Sequence, residues 1–101
     1  MEKSVYISML LEMYGQLLTK KQADIVDLYY NQNLSLAEIA ENLDITRQGV
    51  RKTLVDAEEK LDDLERKLNL LSEKQRRQTL IESLLASQDV SEIKSKLTNL
   101  L

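Results

Sequence analysis

The chain has 101 residues, a net charge of −3 and neither cysteine nor histidine, which excludes disulfides, zinc sites of the usual ligand types and cysteine or histidine catalysis. It contains no proline and only two glycines, and a chain of this length supports one compact core. The composition therefore predicts an all-α fold.

Two helices are predicted before the middle of the chain. Apolar residues at helical spacing predict a buried helix over residues 4–18, with Leu17 facing inward. Thr19 and Gln22 match a capping box, in which each side chain bonds the backbone N–H of the other residue. A second helix is therefore predicted to begin there and to end at about Gln32.

A helix-turn-helix is predicted at about residues 35–54. Ser35 and Glu38 form a second capping box at the start of a short helix. The residues predicted to face inward from this helix are Leu36, Ile39, Ala40 and Leu43. The chain breaks at Asp44, and Thr46 then caps a much longer helix. Two capped helices around a short turn are typical of this motif.

The longer helix is predicted to reach about residue 71 and to carry an apolar seam. Its apolar residues alternate four and three apart, as in a heptad repeat. They are Val50, Leu54, Ala57, Leu61, Leu64, Leu68 and Leu71. Such a seam must be covered, either by helices of the same chain or by a second copy. We expect a homodimer, with burial inside one chain as the alternative.

The C-terminal part is predicted to be a helical extension. Ser72 with Gln75 predicts a new helix start. The polar break that follows consists of Ser87, Gln88 and Asp89. The apolar residues of a final short amphipathic helix are Ile93, Leu97, Leu100 and Leu101. We therefore predict a helix-turn-helix domain, residues 1–71, and an extension, residues 72–101, that packs on the same core or shares the dimer interface.

The motif segment, LSLAEIAENLDITRQGVRKTL at residues 34–54, resembles the helix-turn-helix of bacterial sigma factor region 4. Together with the preceding helices, the pair Tyr29 and Tyr30, and the leucine-rich extension, the chain resembles the YlxM-like (UPF0122-type) family of small helix-turn-helix proteins. The resemblance implies a non-enzymatic regulator or accessory associated with the signal recognition particle pathway. Its partner would be nucleic acid or a protein of that pathway.

The resemblance also implies which side chains would meet nucleic acid. The residues that would point outward at the start of the second motif helix are Thr46, Arg47, Gln48, Arg51 and Lys52. Arginine pairs bidentately with guanine and glutamine with adenine, whereas a lysine more often contacts phosphate. Duplex DNA is the first candidate ligand by motif, and RNA is the second.

Three cations stand in the first turn of predicted helices, where the helix dipole disfavours positive charge. They are Arg47 in the motif and Lys20 and Lys21 in the preceding helix. A phosphate bound at such a helix start would reverse this penalty, so these side chains are predicted to bind nucleic acid. The alternative is that they are solvated and screened.

Two residues depart from the sigma-like pattern. Asp44 occupies the turn position where that pattern usually has glycine, although aspartate tolerates a left-handed backbone better than most residues. Gly49 lies inside the second motif helix, where it loses about 1 kcal/mol of helix propensity. Gly49 indicates either close packing or the close approach of a ligand to the backbone.

Beyond the motif, the long helix is acidic. Its acidic residues are Asp56, Glu58, Glu59, Asp62, Asp63 and Glu65. They would repel a duplex that ran along the helix, so only the first two turns are predicted to meet nucleic acid. We expect these acids to form a solvated helix face. The alternative is that they dock a basic partner, such as the signal recognition particle protein.

No catalytic, metal-binding or cofactor-binding residue is predicted. No carboxylate stands in a sequence context suited to acid–base catalysis, and there is no glycine-rich phosphate loop. The N-terminal segment lacks the features of a signal peptide, and no stretch reaches the roughly 20 apolar residues that span a bilayer. We expect a cytoplasmic protein that does not enter a membrane and has no small-molecule substrate.

Overall fold

A computed structural model describes every residue except Gln88 and Leu101, so the predictions that rest on those two residues lie outside the described part. The described residues form helices joined by short turns, with no strand among them, as the all-α prediction required. The chain divides into two compact units, Met1–Asn69 and Leu70–Leu101. Each unit is described by itself.

The first unit begins with α1, Lys3–Tyr14, which continues as a single 3₁₀ turn, Gly15–Leu17. The α-helix is therefore shorter than predicted. A 3₁₀ turn has about three residues per turn instead of 3.6, and this changes the direction of its side chains. Leu17 is 53% exposed, so its predicted inward position was wrong. The next residue, Leu18, also belongs to the predicted apolar face, and it is buried.

The second helix, α2, spans Lys20–Val26 and begins at the predicted capping box. The Gln22 backbone N–H donates to Thr19 Oγ1 at 3.1 Å, and the Thr19 N–H donates to Gln22 Oε1 at 3.0 Å. The helix continues as a π turn, Asp27–Asn31, so its predicted end near residue 32 is confirmed. The wider π geometry itself was not predicted.

The helix-turn-helix is present where it was predicted. Its first helix, α3, spans Leu36–Leu43 and starts at the Ser35–Glu38 capping box. Of its predicted inward residues, Ile39 and Ala40 are buried and Leu36 is partly buried. Leu43 is 37% exposed, so that assignment was wrong: Leu43 ends the helix, beside the turn.

The second motif helix, α4, spans Arg47–Leu68 and is separated from α3 by a left-handed turn. Asp44 has φ 55° and ψ 48°, the left-handed conformation. Thr46 caps α4, since its Oγ1 accepts the Gly49 N–H at 3.0 Å. The predicted turn and cap are both confirmed.

Replacing Asp44 with glycine is expected to raise the free energy of unfolding by about 0.5 kcal/mol. Glycine adopts the left-handed backbone without the penalty that a Cβ causes, but it also loses more entropy on folding, so the net gain is small. Asp44→Ala is expected to lower the free energy of unfolding, because alanine lacks the tolerance of aspartate for this conformation. Urea denaturation of the three proteins tests the order Gly, Asp, Ala.

Helix α4 is the centre of the first unit and packs against α1, α2 and α3. The first four residues of the predicted seam are buried, with exposed fractions between 0% and 7%: Val50, Leu54, Ala57 and Leu61. The other helices supply the rest of the core, which includes Leu10, Tyr14, Ile25, Val26 and Ile39. This half of the seam is therefore covered within one chain and does not need a second copy.

Helix α4 ends at Leu68, so the predicted end near residue 71 was wrong. Asn69 has φ 55° and ψ 27°, and its N–H donates to the Glu65 carbonyl at 2.8 Å. Asparagine is one of the few residues that adopts this left-handed conformation at low cost, and it therefore ends a helix as glycine does.

The second unit contains α5, Leu70–Ala86, and α6, Val90–Leu100. Helix α5 starts two residues before Ser72, so Ser72 is not its cap and that prediction was wrong. Asp89 caps α6, because its Oδ1 accepts the Ser91 N–H at 2.9 Å. The two helices form an antiparallel hairpin.

Candidate nucleic-acid interface

The first two turns of α4 present a group of polar side chains to solvent. Exposed residues on these turns include Arg47, Gln48, Arg51 and Lys52, directly after the cap Thr46. Gln48, Arg51 and Lys52 point outward because Val50 and Leu54, on the opposite side of the same turns, are buried in the core. Arg47 is exposed as the first residue of the helix. The structure therefore brings together the five predicted residues of the motif.

Three of these side chains form no polar contact with the rest of the described chain. Within the described residues, Arg47, Gln48 and Arg51 make neither a side-chain hydrogen bond nor an ion pair. Lys52 is different, because its Nζ lies 3.2 Å from Asp56 Oδ2 and both side chains are well exposed. Such an exposed pair contributes little to stability and exchanges readily for another anion.

An apolar residue missed by the sequence analysis lies on the same surface. Val55 is 41% exposed and lines an open depression together with Gln48, Arg51, Lys52 and Asp56. Residues 48, 51, 52 and 55 are three or four apart, which is the spacing of one helix face. This spacing could have identified Val55 as part of the surface from the sequence alone. An exposed aliphatic side chain beside arginine and glutamine offers an apolar contact of the kind that thymine methyl groups accept.

Gly49 lies close to the cap of its own helix. A Cβ placed on Gly49 would lie 3.1 Å from Thr46 Oγ1, the atom that accepts the Gly49 N–H. That distance is shorter than an ordinary van der Waals contact. Of the two explanations that the sequence left open for Gly49, close packing has a specific neighbour in the structure.

Lys20 and Lys21 lie on a different helix, at the start of α2. Lys20 Nζ is 2.8 Å from Asp24 Oδ2, and this hydrogen bond raises the pKa of the lysine. Lys21 is exposed and has no ion pair within the described residues. The contact of both lysines with nucleic acid stays a prediction. Lys20 already has a carboxylate partner in Asp24.

The acidic half of α4 is not a uniform solvated face, so that prediction was wrong in part. Glu58 has a side chain only 17% exposed, and Glu65 is partly buried. Asp63 pairs with Arg66 at 2.7 Å. Glu59 and Asp62 are exposed and have no ion pair or hydrogen bond in the described part of the chain.

Tyrosine hydroxyls account for the two partly buried carboxylates. Tyr14 donates its hydroxyl hydrogen to Glu65 Oε1 at 2.6 Å, and Tyr30 donates to Glu58 Oε1. Glu58 also lies 3.7 Å from the Nζ of Lys3. Burial and the hydrogen bond to Glu58 raise the pKa of Tyr30 above its ordinary value. These contacts hold the second half of α4 against α1 and the π turn.

The described residues contain no group of three or more acidic side chains placed to hold a metal ion. No described helix is both long enough and apolar enough to cross a membrane.

A capped short helix, a left-handed turn and a longer capped helix with outward polar side chains together define a helix-turn-helix protein. The chain belongs to the family described as "Putative helix-turn-helix protein, YlxM / p13 like" (UPF0122), whose model matches residues 1–101. Family membership therefore agrees with the fold.

Several relatives share this family name. The UPF0122 protein of Clostridium kluyveri is 50% identical over 74 residues, which are 73% of this chain and 67% of that protein. The UPF0122 protein of Acetivibrio thermocellus is 49% identical over 71 residues, 70% of this chain and 61% of that protein. The UPF0122 protein of Clostridium botulinum (strain Alaska E43) is 38% identical over an alignment of 109 positions that covers 99% of this chain and 100% of that protein.

Proposed function

We propose that this protein is a non-enzymatic, cytoplasmic DNA-binding regulator that inserts the first two turns of α4 into the major groove. The observation that carries the proposal is the set of uncommitted, exposed side chains, Arg47, Gln48 and Arg51, at the start of a capped motif helix. Side chains without internal partners lose no bond when they bind a base edge. The sigma region 4-like form of the motif supports the same docking geometry.

Each side chain has a distinct role in this proposal. Arg47 and Arg51 pair with guanine, and Gln48 pairs with adenine. Lys52 leaves Asp56 and contacts phosphate. Val55 lies against a thymine methyl group. Beyond Val55 the outward residues become acidic, so the contact surface ends after the second turn and the rest of α4 points away from the duplex.

The test is a titration against a library of duplex DNA and against structured signal recognition particle RNA at several salt concentrations. The variant R47A/R51A/K52A is expected to lose about a hundredfold in DNA affinity, since each bidentate base contact contributes about 1–3 kcal/mol. The slope of the logarithm of its binding constant against the logarithm of the salt concentration is expected to become shallower by about 1 for each phosphate contact removed.

The matched control is K60A/R66A/K67A. It removes three exposed cations from the same helix, so the change in net charge is the same. We expect this control to bind DNA nearly as tightly as the unchanged protein. Equal losses in the two variants would contradict the proposal, because they would mean that net charge and not the motif controls binding. Tighter binding to the RNA than to duplex DNA would instead identify RNA as the ligand.

A second candidate function is docking of a basic protein, and the family resemblance makes the signal recognition particle protein the candidate. Glu59 and Asp62 favour it, because both are exposed and uncommitted on α4. The variant E59K/D62K would lose binding to that protein if this candidate holds. The variant R47A/R51A/K52A would keep it. The reverse result would place protein binding on the motif.

We also propose that the protein acts as a homodimer, since dimers of helix-turn-helix proteins place two motifs on half-sites about one turn of DNA apart. Because the first half of the α4 seam is covered within the chain, the dimer needs a different surface.

A further inference from the structure

A pocket separate from the motif surface lies in the first unit, among the start of α1, the π turn and the start of α3. It has a volume of about 420 Å³, within the range of ligand-binding sites, and it is open to solvent. We call it the tyrosine pocket. Six of its lining residues are polar or aromatic: Ser4, Tyr29, Tyr30, Asn33, Ser35 and Glu38. The proposed docking of α4 on DNA does not use this pocket.

Glu38 gives the tyrosine pocket a negative charge. Its Oε1 accepts the Ser35 N–H at 3.0 Å in the capping box of α3. The hydrogen bonds from the backbone and hydroxyl of Ser35 lower the pKa of Glu38, so the carboxylate is ionised at neutral pH. A carboxylate has about four acceptor sites, so Glu38 can accept further hydrogen bonds from a ligand while it caps the helix. None of the described residues that line the pocket is cationic.

Three further side chains of the tyrosine pocket have oxygen atoms that can accept a hydrogen bond. They belong to Ser4, Tyr29 and Asn33, which make no side-chain hydrogen bond within the described residues. The nearest cation in the sequence, Lys3, is already paired with Glu58, since its Nζ lies 3.7 Å from Glu58 Oε2. The pocket therefore combines one negative charge with several acceptors that have no partner in the described part of the chain.

Two aromatic rings line the same pocket. The rings of Tyr29 and Tyr30 are in edge-to-face contact, with planes at 85° to each other and centroids 4.9 Å apart. Perpendicular rings bound a corner in which a cation can lie against a ring face, and that face carries the negative part of the ring quadrupole. The hydroxyl of Tyr30 is held by Glu58, so one wall of the corner is fixed before a ligand arrives. Both tyrosines belong to the π turn, a helix irregularity that is frequent at functional sites.

We propose that the tyrosine pocket binds an arginine side chain of a basic protein partner. The guanidinium lies against the tyrosine rings and donates to the Glu38 carboxylate and to the hydroxyl oxygens of Ser4 and Tyr29. A guanidinium has five N–H donors and no acceptor, which matches a pocket with acceptors and without cations. The inference goes beyond the proposed DNA binding and does not depend on it, nor on docking through Glu59 and Asp62.

Other classes of ligand fit this pocket less well. A phosphate would meet the carboxylate of Glu38 with no cation to offset the repulsion. An apolar ligand would cover the free hydroxyls of Ser4 and Tyr29 without pairing them. A lysine carries a compact, strongly hydrated charge that cannot stack as a plane on a ring, whereas the guanidinium of arginine can. The net charge of −3 also attracts a basic segment over a distance.

The test is a titration of the full chain with short blocked peptides, followed by the backbone amide shifts in ¹H–¹⁵N NMR spectra. The peptides differ only at their central residue, which is arginine, lysine or citrulline, an uncharged molecule with nearly the shape of arginine. The arginine peptide is expected to shift the amides of Tyr29, Tyr30, Asn33 and Glu38 with a dissociation constant of about 1 mM, because one side chain supplies the specific contacts. The lysine and citrulline peptides are expected to bind about fivefold more weakly.

Two variants and a matched control place this binding in the pocket. Glu38→Gln removes the charge but keeps the capping box, which glutamine also forms, and it is expected to weaken the arginine peptide about fivefold. Tyr29→Leu removes one ring and is expected to have a similar effect. Glu41→Gln is the control, because it removes the same charge from an exposed position of the same helix outside the pocket, and it is expected to bind as the unchanged protein does. Circular dichroism checks that each variant keeps its helix content.

Several results would overturn the inference. They are equal binding of the arginine and citrulline peptides, equal losses in E38Q and E41Q, and the absence of shifts at the pocket amides with about 10 mM arginine peptide. Shifts of the same amides with adenosine monophosphate but not with the arginine peptide would show that the pocket binds a nucleotide instead. The assay contains no DNA, so its failure and the failure of the proposed DNA binding are separate results.

Discussion

Replacing Leu61 with alanine is expected to lower the free energy of unfolding by about 3 kcal/mol. Leu61 is fully buried on α4, the helix against which α1, α2 and α3 pack. Removing three of its carbon atoms loses their transfer free energy and leaves a cavity that the surrounding helices fill only in part. This is a large share of the total stability of a small domain.

Leu68→Ala is the matched control for this prediction. Leu68 belongs to the same seam and the same helix but is 49% exposed, so its replacement is expected to cost less than about 0.5 kcal/mol. All four tyrosines lie in the first unit, and urea denaturation followed by tyrosine fluorescence therefore reports on that unit. Similar losses in both variants would contradict the core position of Leu61.

Tyr30→Phe is expected to lower the free energy of unfolding by about 2 kcal/mol at neutral pH, because a hydrogen bond to a charged group contributes about 1.5–3 kcal/mol. The Tyr30 hydroxyl donates to Glu58, whose side chain is only 17% exposed. Without that donor, Glu58 stays partly buried with Lys3 as its remaining ion partner in the described residues.

The effect of Tyr30→Phe is also expected to depend on pH. The pKa of Tyr30 is raised in the folded state above its ordinary value of 10.0, so the folded state favours the neutral phenol. The stabilisation is therefore fully present below pH 10 and is lost as pH rises above it. The difference in unfolding free energy between the unchanged protein and Tyr30→Phe is expected to shrink above pH 10.

Tyr29→Phe is the control for Tyr30. The two rings are in edge-to-face contact with centroids 4.9 Å apart, but the Tyr29 hydroxyl makes no hydrogen bond within the described residues. Its removal is expected to change the free energy of unfolding by less than about 0.5 kcal/mol. Urea denaturation of both variants from neutral to alkaline pH separates the two tyrosines. Equal losses would mean that the hydroxyl of Tyr30 is not what stabilises α4.

The helix starts of the first unit were predictable because their signals are local. The capping boxes at Thr19 and Ser35 and the cap at Thr46 each join residues three apart, and all three are present. The exposure of the motif side chains was predictable for a related reason. Once Val50 and Leu54 are recognised as inward, the helical period places Gln48, Arg51 and Lys52 outward.

The features that were missed depend on contacts distant in sequence or on local backbone choices that the pattern does not encode. Tyr30 and Glu58 are 28 residues apart, and Tyr14 and Glu65 are 51 apart, so neither pairing can be deduced from spacing. The end of α4 was missed because asparagine is a weaker stop signal than glycine. Asn69 ends the helix there without any glycine nearby.

Helices α2, α3 and α4 each begin at a capping residue next to their own first turn, and this affects how the chain folds. Nucleation is the costly step of helix formation, and a cap offsets part of that cost before any tertiary contact exists. Helices α2, α3 and α4 can therefore begin independently. We expect the slow step to be the closure of the long loop that brings α1 onto the distal half of α4, because the hydrogen bond from Tyr14 to Glu65 joins residues 51 apart and needs that loop to be closed.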